Sequence, residues 1–263
     1  MPMEFAGAAR KMSDGAIVAA AGGLGCEVAA VLAVIDVESR GGFLADGRPK
    51  ILFERHYFHH LTSGRYDAAA PDISSSSAGG YLGGAREYER LGRAIALDRA
   101  AALQSASWGA FQIMGANYAS AGYGDVEAFC AAMCESEDNH LDAFVRFVKA
   151  NHLDDELRRR DWVGFARGYN GPGYQQNRYD EKMAAAFTLH SSGGARASAG
   201  AMPRSLAMGD NGDDVAALQT KLGIAADGDF GPATKAAVIG FQQANGLTAD
   251  GIVGPQTRAR LGL

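Results

Sequence analysis

The stretch DGDFGPAT at 227–234 returns as DGIVGPQT at 250–257, so that Asp, Gly, Gly, Pro and Thr recur at a common offset of 23 residues. Each copy reads as a turn leading into a helix. Asp-Gly closes a tight turn, and Gly-Pro places proline, its φ already set, at the first helical position. Between the copies Ala236, Ala237, Val238, Phe241 and Gln242 have helical spacing, and upstream Val215, Leu218 and Leu222 mark a further amphipathic helix. Three helices joined through two equivalent turns make a bundle of about 60 residues, near the lower size limit for independent folding. Ahead of it, His190 is followed by SSGGARASAGAMP, a run of small residues with nothing to bury, which reads as a flexible linker. The chain therefore divides into a large N-terminal domain at 1–190, a linker at 191–204 and a small three-helix domain at 205–263.

Of the 263 residues, 47% are hydrophobic and 21% charged, an ordinary globular composition that excludes general disorder. The formal net charge of −5 supplies no basic footprint. Nucleic acid is thereby excluded as a partner, as is adhesion to anionic membranes or wall polymers by simple attraction. Specificity must come from shaped sites. Cys26, Cys130 and Cys134 form no disulfide framework and suit a reducing cytosol. Cys130 and Cys134 lie four apart on an expected helix with His140 beyond, a pattern open either to a metal or to small side chains filling a core. The adjacent His59 and His60 lack zinc-ligand spacing. Arg10 and Lys11 precede an apolar stretch from Ala16 to Ile35, but Gly22, Gly23, Gly25 and Glu27 interrupt it and no cleavage-site pattern is present. It reads as two short core helices broken at the glycines, with neither an export signal nor an integral membrane segment.

The first 190 residues read as mainly α. Asp14 is the expected N-cap of the first helix. The second runs from about Gly25 to Ser39 and stops at Gly41-Gly42. Lys50 to Arg55, bounded by Pro49, is either a short strand or an extended wall segment. A Ser/Gly-rich loop covers 72–84, and helices are expected over 85–103, 125–150, 154–168 and 176–189. The last follows the breaker Tyr-Asn-Gly-Pro-Gly at 169–173.

Two carboxylates stand out. Val28, Val31, Ile35 and Glu38 fall on one helical face, so Glu38 ends an apolar stripe in the last turn, where exposed carbonyls disfavour negative charge. Burial and the helix end both favour the protonated acid, the form that can deliver a proton to a departing sugar oxygen. The plainer reading turns Glu38 into solvent past the glycine break. Glu54, behind Ile51, Leu52 and Phe53, is either the second acid of a glycosidase pair or the partner of Arg55 or Lys50 in a structural ion pair. Gln112 interrupts the apolar run SWGAFQIMGANY at 107–118 and either satisfies itself internally or faces a cleft. Tyr169 and Asn170 offer an aromatic face and an amide to a sugar, or are ordinary loop constituents. No Gly-x-Ser-x-Gly elbow is present.

The ordered motifs Glu38-Ser39, Ser107-x-Gly-x-x-Gln112-Ile and Tyr169-Asn170 resemble those of the goose-type lysozyme and soluble lytic transglycosylase superfamily. More narrowly, VESRGGFLADGRPKILFERHYF, SWGAFQIMG and FARGYNGPGYQQNRYDEKMAAAF resemble the N-acetylmuramidase domain of phage endolysins and prophage wall hydrolases, over nearly all of 15–188. The pattern GDNGDDVAALQTKLG…DGDFGPAT…AVIGFQQANGLTADGIVGPQTRARL resembles the peptidoglycan-binding domain of bacterial and phage wall hydrolases. These resemblances imply a lysozyme-like helical fold with a small β segment. They imply Glu38 as proton donor and Glu54 as a second acid that transglycosylases generally lack. Gln112, Tyr169, Asn170 and Ser107 are implied as cleft residues, while Arg55 and His56 tune the second acid, bind substrate or pack. The implied partner is bacterial peptidoglycan, bound by a monomer without metal or cofactor. With no export signal expected, the protein would accumulate in the host bacterial cytoplasm and reach the wall through a holin pore. A transglycosylase and a non-catalytic wall binder are the other readings.

Overall fold

Short polar residues decide where the helices begin. In the computed structural model, which describes residues 4–39, 41–192 and 205–263, the first helix, α1 (Asp14–Leu24), is capped by Ser13 and not by Asp14. Ser13 is extended and its hydroxyl accepts from the Ala16 amide, so Asp14 becomes the first helical residue. Gly22 and Gly23 stay inside α1, and the break falls at Gly25, left-handed at φ 67°. α2 (Val28–Glu38) follows. All six residues from Ala29 to Val34 are buried, so the expected stripe is instead a helix covered all round, surfacing only at Asp36. No single described helix is long and apolar enough to cross a membrane. α1 and α2 meet that test only as a pair bent by 112°.

The chain forms two compact units. One gathers the N-terminal segment through Arg10 with Ile35–Asp154. After α2 a small hairpin pairs Phe43 with Pro49 and feeds β1 (Ile51–Phe53) and α3 (Arg55–Leu61). The helix expected over 85–103 is two, α4 (Glu87–Leu97) and α5 (Arg99–Gln104), because Asp98 turns extended and caps α5 at the Ala101 amide. β2 (Ala106–Trp108) and β3 (Ile113–Met114) complete an antiparallel sheet in the order β1-β2-β3, with Ile51 opposite Trp108 and Trp108 opposite Ile113. Ser136 likewise splits 125–150 into α6 (Val126–Glu135) and α7 (Glu137–Ala150). Phe53, Phe58, Trp108, Phe129 and Phe144 are fully buried around the sheet.

Inside this unit lies a completely buried carboxylate, Glu87. It accepts from the amides of Leu82 (2.5 Å), Gly83 (2.8 Å) and Phe53 (3.3 Å) and from Arg90 Nη1 (3.0 Å). Arg90, itself buried, also donates to Phe53 O at 2.8 Å. Burial works to raise the Glu87 pKa, but these donors outweigh it and hold the carboxyl below its ordinary range. The 79–86 segment ahead of α4 is thereby fastened to the end of β1.

The second unit gathers Lys11–Val34 with Asp155–Leu263. Asp161 caps α9 (Trp162–Asn170) after α8 (Asp154–Arg159), splitting the helix expected over 154–168. α10 (Tyr179–Ser192) follows, and the expected linker lies, from 193 onward, outside the described residues. The repeat gives α11 (Asp213–Leu222), α12 (Pro232–Ala244) and α13 (Pro255–Leu261), the latter two with proline in the first turn as their Gly-Pro pairs require. Leu206, Val215, Leu218, Phe230, Val238, Val253 and Leu261 form the core. Two buried glutamines build the equivalent turns. Gln219 Nε2 donates to Asp227 Oδ1, Asp229 O and Thr234 Oγ1, and its Oε1 accepts from the Gly228 amide. Gln242 does the same with Asp250, Ile252 O, Thr257 and Gly251.

Replacing Gln219 by Ala strands several buried partners and should destabilise the bundle by about 2–3 kcal/mol, read as earlier denaturant unfolding of NMR probes in 205–263. For Glu87 the folded pKa lies below the unfolded one. Its contribution is therefore complete above about pH 4.3 and is lost as pH falls through the lower, folded value. Melts recorded from pH 6 to pH 3 should show an acid-side fall in stability that Glu87→Gln makes shallower, from a lower starting point.

Candidate active site

Glu38 is the last residue of α2 and is half-buried. The backbone beyond it is held tightly. Gly41 has φ 80°, and the Gly42 amide donates to Glu137 Oε1 at 2.7 Å. A side chain at Gly42 would put its Cβ 2.4 Å from His140 Nδ1, and one at Gly109 would meet the same ring at 2.9 Å. The imidazole fills the space that both glycines leave. The Ala110 amide donates to Nδ1 (3.1 Å), so Nε2 holds the proton and donates to Met133 O (2.7 Å). His140 is thus a neutral bolt between the segment after Glu38 and the turn joining β2 to β3. Gly42 O accepts from the Lys50 amide, and Lys50 O accepts from the Gly109 amide, both at 2.8 Å.

Gln112 sits in that turn with φ 50°, a left-handed conformation uncommon for a residue with a side chain. Three contacts hold it there. Its Oε1 accepts from Ser107 Oγ (2.8 Å), and its Nε2 donates to Gly109 O (2.7 Å) and Lys50 O (3.3 Å). The residue is nevertheless exposed, while Ser107 is buried on β2. Of the two sequence alternatives for Gln112, the structure shows an amide satisfied internally, on a residue that lies at the surface.

Glu54 follows β1 and is the N-cap of α3, but its carboxylate caps nothing. Its amide donates to Ser105 O at 2.8 Å. Glu54 Oε2 accepts from the Tyr81 hydroxyl at 2.8 Å and lies 3.2 Å from His56 Nδ1. Burial first, then this bond to Glu54, raises the Tyr81 pKa and keeps the phenol a donor. Arg55 turns to the neighbouring loop, donating to Ser77 O (2.8 Å) and Ala78 O (3.0 Å). The loop that Glu87 fastens is the one that presents Tyr81, so the second carboxylate is supported at two removes.

Glu38, Glu54, Arg55, His56, Ser107 and Gln112 all belong to the first unit. Tyr169 and Asn170 belong to the second, in the last turn of α9, with Tyr169 stacked on Phe165 at a centroid distance of 5.5 Å. Sequence reasoning passed over Tyr81, which lay in a loop read as a connector. It also weighed His140 only as a metal ligand with Cys130 and Cys134. Both nitrogens of that ring face backbone groups, and burial pushes the Cys134 thiol up to about 12 and Cys130 higher still. The glycines at 42 and 109 were the available signal, since each marks a close approach.

Residues 27–191 match the family described as Muramidase, N-acetylmuramidase, and residues 211–261 match the putative peptidoglycan binding domain. Among solved structures, the crystal structure of an endolysin from Burkholderia phage AP3 is similar, with 46% sequence identity and a TM-score of 0.67, over 69% of this chain and 71% of that one. No curated protein matches the chain. The two family matches and the likeness to a phage endolysin agree: the chain belongs to the N-acetylmuramidase family and is a peptidoglycan-cleaving enzyme with a peptidoglycan-binding domain of its own.

Proposed function

We propose that the enzyme hydrolyses the β-1,4 bond between N-acetylmuramic acid and N-acetylglucosamine, with Glu38 as proton donor and Glu54 as the second carboxylate. Glu38 transfers its proton to the glycosidic oxygen as the bond from that oxygen to the muramic acid anomeric carbon breaks. Glu54 either takes a proton from the water that adds at that carbon, or offsets the positive charge that develops there while Glu38, now deprotonated, takes the water's proton. A hydroxyl adds to the anomeric carbon, leaving a reducing muramic acid end.

The observation that supports two acids over one is the company Glu54 keeps. Its oxygen lies with Tyr81 and His56, whereas the adjacent Arg55 is engaged by loop carbonyls. An acid present only for an ion pair with its neighbour would have that guanidinium. On this reading His56 and Tyr81 position Glu54, and Arg55 shapes the loop in place of touching sugar. Ser107 positions Gln112, and Gln112, Tyr169 and Asn170 contact the glycan. We further assign a catalytic domain to 1–190, a linker to 191–204 and a wall-binding domain to 205–263. The protein acts as a monomeric phage endolysin, made in the host cytoplasm and released to the wall through a holin pore.

Glu38→Gln should lower the lytic rate by about 10²- to 10⁴-fold while sacculus binding and melting stay unchanged, and full activity in that variant would remove Glu38 as the acid. Mass spectrometry of digested sacculi separates the two chemistries. Hydrolysis gives reducing ends, and Glu54→Gln then loses most of the activity. Products lighter by one water, with Glu54→Gln still active, would make the enzyme a lytic transglycosylase.

A further inference from the structure

The two copies of the turn have the same internal wiring but different surroundings. In the first copy Asp227, Asp229, Pro232 and Ala233 are exposed, and a Cβ added at Gly231 would meet nothing within 4 Å. In the second, Gly251 and Gly254 are buried where their counterparts Gly228 and Gly231 are not, and a Cβ at Gly254 would lie 2.6 Å from Asp14 Cβ. Both glycines have extended, unstrained backbones, with φ of −89° and −95°. The difference is what covers them.

Within the second unit, α1 and the second copy cap each other. Asp14 Oδ1 accepts from the Gln256 amide (2.8 Å), and Oδ2 accepts from the Thr257 amide (2.9 Å) and hydroxyl (2.6 Å), satisfying the first turn of α13. In return Asp250 Oδ2 accepts from the Gly15 amide in the first turn of α1 at 3.0 Å. Thr248 Oγ1 adds bonds to Lys11 O (3.0 Å) and Met12 O (3.2 Å). Asp14 is only 4% exposed, and α1 lies ahead of residue 27, outside both family matches.

We propose that the second turn is an intramolecular socket plugged by Asp14, so that it anchors the binding domain to α1 and takes no part in gripping the wall. Asp14 lies outside the bundle, so its loss leaves each glutamine cage complete. Gly254→Ala breaks the contact from the other side, and Gly231→Ala is the matched control in the first copy.

Amide exchange in the full-length protein reads the socket directly. Asp14→Ala and Gly254→Ala should each speed exchange at Gln256 and Thr257 by on the order of tenfold or more, while Gly231→Ala leaves both amides protected. Protection of Val253, which donates to Leu206 O, reports that the bundle remains folded. Sacculus pelleting should be unchanged in Asp14→Ala. Unchanged exchange in Asp14→Ala, or equal effects of the two glycine variants, would overturn the socket. Increased pelleting in Asp14→Ala with Val253 still protected would put the unplugged second turn on the wall, lost pelleting would make the plugged turn part of the grip, and either would overturn the division of roles.

Discussion

The first unit is organised around the space that Gly42 and Gly109 leave for one imidazole. Because His140 accepts from one amide and donates to one carbonyl, it links three chain segments without a net charge and without an unsatisfied atom. A methyl group at either glycine would collide with it. The consequence reaches both ends of the proposed chemistry. Glu38 precedes Gly42 by a few residues, while Gln112 sits in the turn whose Ala110 amide the ring holds. The ring is neutral because the Ala110 amide points its hydrogen at Nδ1, which leaves that nitrogen no room for a proton of its own.

The two acids are held by different means. Glu38 is placed by a helix end and by the locked backbone beyond it. Glu54 is placed by a relay that runs from buried Glu87, through the 79–86 segment, to the hydroxyl of Tyr81. Magnitudes favour that relay over the visible surface pairs. Arg93 with Asp72 and Arg99 with Glu127 are about half exposed on each side, and such pairs contribute little. Glu87 is fully buried with three amides and a guanidinium upon it, and removing a partner there leaves a desolvated charge.

Local chemistry made much of this legible. Gly-Pro predicted where α12 and α13 begin, Gly41-Gly42 where α2 stops, and Pro49 the approach to β1. The resemblance of ordered motifs nominated Glu38 and Glu54 before any contact was known. What stayed hidden depended on partners far away in sequence. Asp98, Ser136 and Asp161 each interrupt an otherwise plausible helix, and only their own non-helical backbones and capping bonds show it. Glu137 meets Gly42 across 95 residues and Asp14 meets Thr257 across 243, so no local periodicity could assign either role. The stripe on α2 failed for a related reason, since a helix covered on every side leaves its polar face unwritten.

The glutamine cages bear on how the protein ages. Each side-chain nitrogen has three acceptors around it, one of them a carboxylate oxygen. Deamidation of Gln219 or Gln242 would exchange that nitrogen for an oxygen, turning attraction into repulsion against Asp227 or Asp250 in a buried setting. Burial slows the arrival of water at the amide, and it also makes the damage hard to relieve once done. Each cage thus tells an amide from a carboxylate of the same shape, and the turn that it holds would loosen if the nitrogen were exchanged for oxygen.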